Sequence, residues 1–170
     1  MIMNVAFLGI GTNLGDKENN LSAAIAGIEE KIGKIVKSSS VYATESWGFK
    51  TEDEFLNMVL KVETNLIPSE LIRRIQMLEA SSGRVRSEKQ YSSRVIDIDI
   101  LFYDDLVINE KSLKIPHPLL HGRKFVLVPL CEIEAEMIHP VLNKTIASLL
   151  KSCKDKSKVL LHSNPLSAKL

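Results

Sequence analysis

Two aspartates separated by a single residue, Asp97 and Asp99, are the side chains with the clearest chemistry in the sequence. On a β-strand such residues face the same side and lie roughly 7 Å apart, because each residue rises about 3.3 Å. Neighbouring carboxylates repel each other unless a cation lies between them. Mg²⁺ suits such ligands, since it commonly takes one or two carboxylates and fills its shell with water and phosphate oxygens. A solvated polar strand face is the alternative, and for an isolated Asp-x-Asp pair it is the more common one.

Arginines near this pair strengthen the case for a phosphate ligand. Six of the 22 Lys and Arg residues are arginines, and Arg84, Arg86 and Arg94 all precede Asp97 by 13 residues or fewer. A guanidinium group binds two phosphate oxygens at once, whereas a lysine supplies a point charge. Acids that gather Mg²⁺ beside arginines that hold phosphate are the parts of a phosphoryl-transfer site. A structural network of Arg–Asp ion pairs is the alternative.

Other side chains are candidates for the rest of such a site. His117 lies between two prolines, which disfavours a helical zinc pair with His121 and leaves a contact to phosphate or base, or a structural role. Gln76 and Glu79 fall at the edge of an apolar helical stripe, where they either line a pocket or face solvent. Aromatic residues make up only 5% of the chain, so those beside polar segments are candidates for stacking on a flat ring. They are Trp47, Phe55, Tyr91 and Phe125.

The elements that must position these residues follow from hydrophobic periodicity. Strands are predicted at residues 3–10, 34–44, 55–66 and 95–103. Helices are predicted from Asp16 to Gly33, from Pro68 to Gly83, from Phe125 to Glu134 and from Thr145 to Ser152. The run from Gly9 to Gly15 lacks the pattern of a nucleotide-binding loop, so a tight strand-to-helix turn is predicted there. The order β-α-β-β-α-β predicts an α+β sandwich, with helices packed on a mainly antiparallel sheet.

The strand that carries the aspartates alternates in character. Its opposite face is apolar throughout and must pack on the core. That face is formed by Ile96, Ile98, Ile100 and Phe102. The last fifteen or so residues of the chain have only a weak pattern, and we expect them to fray.

Length, composition and charge limit the possible classes of protein. The chain has 170 residues and a mass of 19.0 kDa, which predicts one domain. Its formal net charge of +1 argues against a nucleic-acid-binding protein, which usually carries a strongly basic surface. No apolar run approaches the roughly 20 residues that span a bilayer, and the first residues lack signal-peptide features. Cys131 and Cys153 form neither a disulfide framework nor a zinc motif, so a reduced, cytoplasmic location is expected.

Six sequence motifs occur in an order that resembles one enzyme family. They are Gly11-Thr-Asn-Leu-Gly-Asp16, Phe55-Leu-Asn57, Gly83-Arg-Val-Arg86, Arg94-Val-Ile-Asp-Ile-Asp-Ile-Leu101, Pro116-His-Pro118 and Arg123-Lys-Phe-Val-Leu-Val-Pro-Leu-Cys-Glu-Ile133. Roughly residues 3–150 resemble the 6-hydroxymethyl-7,8-dihydropterin pyrophosphokinases of folate biosynthesis. The Arg-x-x-Asp-x-Asp block, followed by the His-Pro and Arg-x-Phe segments at these spacings, is a specific signal.

The resemblance implies a ferredoxin-like α+β fold and transfer of pyrophosphate from ATP to the pterin hydroxymethyl oxygen, with release of AMP. It implies that Asp97 and Asp99 hold two Mg²⁺ ions and act in catalysis with Arg84 and Arg94. The residues implied at ATP are Gln76, Glu79, Arg86, Tyr91, Ile100, His117 and Arg123. The residues implied at the pterin are Thr44, Trp47, Phe55, Asn57 and Phe125.

The resemblance also shapes what we expect of the chain as a whole. Residues 1–160 are expected to form one pyrophosphokinase domain, with a frayed tail at 161–170. We expect a monomer whose partners are the two small-molecule substrates, ATP and the pterin. We expect it to bind neither nucleic acid nor membrane.

One segment departs from the family pattern at Gln90, Tyr91, Ser92 and Ser93, where the family usually has a basic residue, a tryptophan and Gly-Pro. Loss of the basic residue removes one phosphate contact, for which Lys89 is a substitute one residue away. These departures favour an alternative function, a nucleotide- or pterin-binding module of the same fold with impaired catalysis. A ferredoxin-like RNA-binding domain is a third hypothesis, but it needs a basic sheet face with aromatic residues, whereas the strongest strand here carries two aspartates.

Overall fold

A six-stranded sheet is the centre of the protein, in a computed structural model that describes residues 2–46, 53–82 and 95–162. The strands are β1 (Asn4–Thr12), β2 (Lys34–Ser38), β3 (Tyr42–Thr44), β4 (Phe55–Thr64), β5 (Asp97–Tyr103), β6 (Ile108–Asn109), β7 (Lys114–Ile115) and β8 (Val159–Leu161), of which β6 and β7 form a separate hairpin. The helices are α1 (Lys17–Lys31), α2 (Pro68–Ser81), α3 (Lys124–Glu134) and α4 (Ile146–Ser152), with a 3₁₀ turn at Leu120–Gly122. None of the helices in these ranges is long and apolar enough to cross a membrane.

The sheet is antiparallel at every pairing that the described strands make. The strand order is β5-β1-β4-β3-β8, and β2 also pairs with β4. β1 therefore lies between β4 and β5, with Gly11 opposite Asn57 on one side and opposite Asp97 on the other. The predicted α+β class with a mainly antiparallel sheet is confirmed.

Caps and turn residues mark where the helices begin. The Asp16 carboxylate accepts a hydrogen bond from the Asn19 N–H at 3.1 Å at the start of α1, the usual role of aspartate at an N-cap. Pro68 opens α2, where its missing N–H leaves no hydrogen bond unmade. The Thr145 hydroxyl accepts from the Ser148 N–H at 3.1 Å at the start of α4. The predicted starts of these helices are confirmed to within about one residue, the usual uncertainty of a helix end.

Helices cover both faces of the sheet, and each face has its own apolar core. α1 and α2 pack on one face through residues such as Leu21 and Ile75, both fully buried. α3 and α4 pack on the opposite face through residues such as Leu127 and Ile146, which are also fully buried. Each such side chain contributes roughly 1.5–3 kcal/mol on burial, so the two cores hold the helices firmly against the sheet.

The predicted strand at 34–44 is two strands in the structure, β2 and β3, which pair with successive parts of β4. Between them, the Ser39 N–H donates to the Val59 carbonyl and the Ser39 hydroxyl accepts from the Val59 N–H, each at 2.9 Å. A side-chain hydroxyl thus takes the place of one backbone acceptor, which interrupts the ladder.

β1 extends further than the sequence predicts. Gly9 and Gly11 pair with both β4 and β5 and so lie within the strand, which makes the predicted turn from Gly9 wrong in its first half. The turn is confined to residues 13–16, where Gly15 has a positive φ of 65° that favours glycine. Strand pairing on two sides therefore outweighs the low strand propensity of glycine.

Phe102 lies on the face opposite to the predicted one. The pairing of β1 with β5 shifts after Phe7, which leaves Leu101 as an extra residue on β5. Such a bulge reverses the alternation of side chains beyond it. Ile98 and Ile100 therefore pack in a core as predicted, the one under α1 and α2. Phe102 instead packs edge-to-face on Phe7, with ring centroids 6.2 Å apart, in the core under α3 and α4.

Part of the segment that we expected to fray belongs to the sheet. Val159–Leu161 forms β8 and pairs with β3 at the edge of the sheet. A strand of three residues is too short to leave a periodic pattern in the sequence. Residues 163–170 lie outside the described ranges.

The close packing of the end of α1 on β4 gives a test of the fold. A β-carbon at Gly33 would collide with the backbone carbonyl of Glu63, whereas one at Gly122 would meet nothing within 4 Å. We expect Gly33→Ala to lower the free energy of unfolding by about 2 kcal/mol or more, and Gly122→Ala to change it by less than about 0.5 kcal/mol. Urea unfolding of the two variants measures the difference, and equal stabilities would contradict this packing.

Candidate active site

A cavity of about 280 Å³ lies between β1, β4 and β5 and the beginning of α3. Its walls include Gly9, Gly11, Thr44, Phe55, Asn57, Asp97, Asp99, His117, Arg123 and Phe125. All of these except the two glycines are site residues that the sequence and the family resemblance predict. Segments far apart in the chain thus meet at one cavity.

Asp97 and Asp99 form one wall of the cavity. Both are half-buried, and both face it from β5, as strand periodicity predicts for residues two apart. Ile98, between them, points the other way into the core under α1 and α2. The carboxylates are therefore presented side by side on a strand that packs firmly from behind.

The floor of the cavity is formed by two glycines on the strand next to the aspartates. Gly9 lies opposite Asp99 on β5 and Val59 on β4, and Gly11 lies opposite Asp97 and Asn57. Because neither glycine has a side chain, the cavity face of β1 is open between β4 and β5. The two glycines were not predicted as part of the site, although glycines two residues apart in an apolar strand indicate a place where a ligand or a backbone comes close.

Asn57 and Thr44 form a buried polar wall, with exposed fractions of 8% and 2%. The Asn57 Nδ2 donates to the Thr44 Oγ1 at 2.6 Å, which fixes the direction of the amide. The Asn57 Oδ1 lies over the strand floor, since a β-carbon built on Gly11 would come within 2.6 Å of it. Gly11 therefore leaves the space that this amide occupies.

Arg123 and Phe125 bring a cation and an aromatic ring to the cavity from the start of α3. Arg123 is only 8% exposed, and its Cζ lies 5.7 Å from the centroid of the Phe125 ring. At this distance the ring face attracts a guanidinium group. Phe55 lines the same cavity from β4, so two phenylalanines and one arginine are among its lining residues.

His117 is held between the charged groups of the cavity. The backbone N–H of His117 donates to the Leu101 carbonyl at 2.9 Å, and its ring Nδ1 accepts from the Leu119 backbone N–H at 3.2 Å. Burial, and then the positive charge of Arg123, lower the pKa of His117 to about 4, against the opposite effect of Asp97. The imidazole is therefore neutral at neutral pH and, since Nδ1 accepts a hydrogen bond, it carries its proton on Nε2.

Two carboxylates hold the far end of α3 against the sheet. Glu132 accepts a hydrogen bond from the Tyr42 hydroxyl at 2.6 Å, and burial together with this bond raises the pKa of Tyr42 to about 12. Glu134 forms ion pairs with Lys37 at 2.9 Å and with Lys61 at 2.5 Å. These contacts tie α3 to β2, β3 and β4 and so fix the helix that carries Phe125.

Three residues predicted at ATP do not line the cavity. Gln76 is exposed on α2, and Ile100 is buried in the core under α1 and α2. Glu79 is 4% exposed, and its Oε1 accepts a hydrogen bond from the Ile98 N–H at 2.9 Å. Glu79 therefore contacts the backbone of β5 between the two aspartates. The roles of these three residues at ATP stay predictions.

The remaining predicted site residues lie outside the described ranges. They are Trp47, Arg84, Arg86, Tyr91 and Arg94, and the departures from the family pattern at residues 90–93 lie there too. Their roles also stay predictions.

The donors on the aspartate wall fit Mg²⁺. Asp97 and Asp99 offer carboxylate oxygens side by side at a cavity that also has room for other oxygen ligands. Mg²⁺ commonly takes only one or two protein carboxylates. The described residues contain no cluster of three or more His, Cys, Asp or Glu side chains that could hold a metal ion.

Comparison with known proteins identifies the family to which the chain belongs. The family model described as 7,8-dihydro-6-hydroxymethylpterin-pyrophosphokinase (HPPK) matches residues 7–135. The chain belongs to this family. It is accordingly an enzyme of the pyrophosphokinase class, which transfers diphosphate groups.

Relatives of this HPPK-family chain differ in length. It is 44% identical over 144 residues to the 2-amino-4-hydroxy-6-hydroxymethyldihydropteridine pyrophosphokinase of Aquifex aeolicus, which covers 85% of this chain and 89% of that protein. It is 38% identical over 149 residues to the folic acid synthesis protein fol1 of Pneumocystis carinii, covering 88% of this chain but 20% of that protein. The chain thus spans nearly all of the first relative and about a fifth of the second.

A solved structure supports the same assignment of the fold. The chain is similar to an HPPK-DHPS protein crystallised in complex with substrates, with a TM-score of 0.74 at 17% identity. The match covers 89% of this chain and 43% of that one. The predicted ferredoxin-like fold is confirmed.

The environment of His117 gives a test by NMR. We expect its imidazole to titrate near pH 4 and to carry its proton on Nε2 at neutral pH. Because the ordinary pKa is 6.5, the unfolded chain binds more protons between these values, so this residue's contribution to stability is lost as pH falls from 6.5 to about 4. Nitrogen-15 spectra of the ring, assigned with His117→Gln, measure both properties, and a pKa near 6.5 would contradict the described environment.

Proposed function

We propose that the protein transfers pyrophosphate from ATP to the hydroxymethyl oxygen of 6-hydroxymethyl-7,8-dihydropterin, giving AMP and the pterin diphosphate, in folate biosynthesis. The observation that supports this most is the composition of the cavity between β1, β4, β5 and α3. It has two carboxylates on one wall and a buried amide with two phenylalanines on the other walls. The first set suits a metal-bound triphosphate, and the second suits a flat ring with a hydrogen-bonding edge.

The pterin end of the cavity would be the one that carries Phe55 and Phe125. Flat heterocycles stack on phenylalanine rings, and the apolar surface gains from leaving water. Asn57 would read the edge of the ring, because its Nδ2 is partly engaged by Thr44 while its Oδ1 points over the glycine floor. A fixed amide of this kind discriminates against rings that lack the matching N–H groups, which would leave it unpaired.

The phosphate end would be the one that carries the aspartates. Asp97 and Asp99 would hold the two Mg²⁺ ions that accompany ATP, and the ions would neutralise charge on the phosphate oxygens. His117 would donate from Nε2 to a phosphate oxygen as a neutral group, and Arg123 would donate from a buried cation. Arg84, Arg86 and Arg94 are proposed to complete this end.

The reaction requires these two ends to meet. The pterin hydroxymethyl oxygen forms a bond to the β-phosphorus, the bond from that phosphorus to the oxygen bridging the α-phosphate breaks, and AMP leaves with that oxygen. The hydroxyl proton is released. Fixing both partners supplies much of the rate enhancement, since reactants held in line avoid the entropy cost of meeting. A cytoplasmic location and a monomeric state remain predictions.

The aspartate wall gives the direct test of the enzyme. We expect Asp97→Asn to lower AMP release by about 1,000-fold or more, because the amide no longer attracts the metal that stabilises the transition state. Asp105→Asn, at an exposed aspartate just beyond β5, is the matched control and should keep the wild-type rate. A coupled assay that measures AMP in the presence of ATP, Mg²⁺ and the pterin gives both rates.

The same assay separates the two candidate functions. AMP release that requires all three components supports the enzyme. Wild-type protein that binds ATP and the pterin but releases no AMP would support the impaired binding module instead. Equal rates for the two aspartate variants would contradict the assigned role of Asp97.

The glycine floor gives a test of pterin recognition. Gly11→Ala places a β-carbon against the Asn57 carbonyl oxygen, whereas Gly9→Ala meets only the Leu101 side chain at an ordinary 3.5 Å. We expect the first variant to raise the KM for the pterin about 10-fold or more by displacing the amide, and the second to raise it less than about 3-fold. Steady-state kinetics at saturating ATP compare them, and equal effects would argue against recognition by Asn57.

A further inference from the structure

The C-terminal segment 153–162 lies beyond residues 7–135, the part of the chain that the family model matches. It nevertheless contacts two elements that form the cavity. Asp155 contacts the start of α3, and Lys158 contacts the end of β3. β8 follows in the same segment and pairs with β3. The segment therefore joins two cavity walls that come from distant parts of the chain.

Asp155 caps α3 from 31 residues away. Arg123 occupies the N-cap position of α3, but its side chain makes no capping hydrogen bond. Instead the Lys124 N–H, the first of the helix, donates to the Asp155 Oδ2 at 3.0 Å. A carboxylate in this position satisfies a backbone donor and complements the positive end of the helix dipole.

The Asp155 carboxylate is itself held in place. Its Oδ1 accepts a hydrogen bond from the Ser157 N–H at 2.9 Å. Burial alone would raise the pKa of Asp155, but the hydrogen bonds from Ser157 and Lys124 lower it below its usual value. The group is therefore ionised at neutral pH, and both of its oxygens are engaged.

The capped turn carries cavity residues on both sides of Lys124. Arg123 precedes the capped N–H and Phe125 follows it, and both line the cavity. The first turn of a helix frays easily when its N–H groups lack acceptors. The orientation of these two side chains thus depends on whether the turn stays helical.

A second contact joins the segment to the opposite wall. The Glu45 N–H donates to the Lys158 carbonyl at 3.4 Å, and the Lys158 N–H donates to the Glu45 Oε2 at 3.3 Å. Glu45 lines the cavity beside Thr44, the partner of Asn57. Asp155 lies three positions before Lys158 and is thus anchored to the polar wall.

We propose that Asp155 is a positioning residue for substrate binding, acting from outside the cavity by capping α3 and so holding Arg123 and Phe125 in place. This inference rests on the proposed function. It assigns a role in binding to a residue that lies beyond residues 7–135, the part of the chain that the family model matches.

Removal of the cap tests the proposal. Asp155→Ala should raise the KM for the pterin about 5-fold or more, because the ring that stacks on Phe125 meets a less ordered wall. Asp155→Asn should restore part of the affinity, since its one amide oxygen accepts from the Lys124 N–H, whereas its Nδ2 cannot accept from the Ser157 N–H. In hydrogen exchange, the amides of residues 124–126 should exchange about 10-fold faster in Asp155→Ala than in wild type.

Thr145→Ala is the matched control, because it removes a side-chain cap from α4, a helix of which no residue lines the cavity. It should raise exchange at the start of α4 and leave the KM for the pterin unchanged. A loss of affinity in both variants would mean that general destabilisation is responsible, and it would overturn the proposal.

Two further results would also overturn the proposal. One is unchanged exchange at residues 124–126 in Asp155→Ala, and the other is faster exchange there with an unchanged KM. A wild-type protein that releases no AMP would contradict the proposed function instead. In that case, the exchange data together with the pterin dissociation constant of Asp155→Ala decide whether Asp155 positions the cavity.

Discussion

The absence of side chains at two positions of β1 is the constraint on which the rest of the site depends. A strand inside a sheet normally fills the space on both faces, and β1 does so with Ala6, Leu8 and Ile10 on the face toward α1 and α2. On the other face Gly9 and Gly11 leave space that the Leu101 side chain and the Asn57 Oδ1 border. The antiparallel register then puts a carboxylate on one side of each glycine and β4 on the other side. The room for a ligand and the carboxylates that could bind its metal therefore lie beside the same two glycines.

The helix that closes this space is fixed at both ends. At its C-terminal end, Glu132 and Glu134 bind side chains on three strands. At its N-terminal end, Asp155 holds the first N–H group. These contacts hold the helix against rotation and sliding, so Arg123 and Phe125 enter the cavity in defined positions.

The aspartates and the arginine of the cavity lie on different elements. The aspartates are on β5 and Arg123 is at the start of α3. His117 lies between them and is kept neutral by burial and by the charge of Arg123.

Local patterns predicted the parts of the fold that depend on local interactions. The caps at Asp16 and Thr145, the proline at the start of α2 and the shared face of Asp97 and Asp99 all follow from neighbouring residues. Long-range pairing decided the rest. β1 continues through its glycines because strands on both sides bind it, and Phe102 changes face because of a bulge. The short strand β8 exists only because β3 offers an edge.

The site shows the same division. Motif resemblance pointed to eight of the residues that line the cavity, because their types and spacing can be read along the chain. The glycine floor and the cap by Asp155 were not predicted. The glycines act only through the absence of a side chain, and Asp155 acts on a backbone N–H 31 residues away in the chain. Neither signal is visible without the register of the sheet and the path of the chain.

For the proposed transfer, the metal-bound phosphates and the pterin must be neighbours over the glycine floor. Paramagnetic relaxation by Mn²⁺, bound in place of Mg²⁺ with a non-hydrolysable ATP analogue, measures this directly. We expect the hydroxymethyl protons of the bound pterin to relax strongly, as protons within about 10 Å of the metal do, and we expect Asp97→Asn to abolish the effect. Pterin that binds with unchanged relaxation would place the ring away from the aspartates and contradict the account.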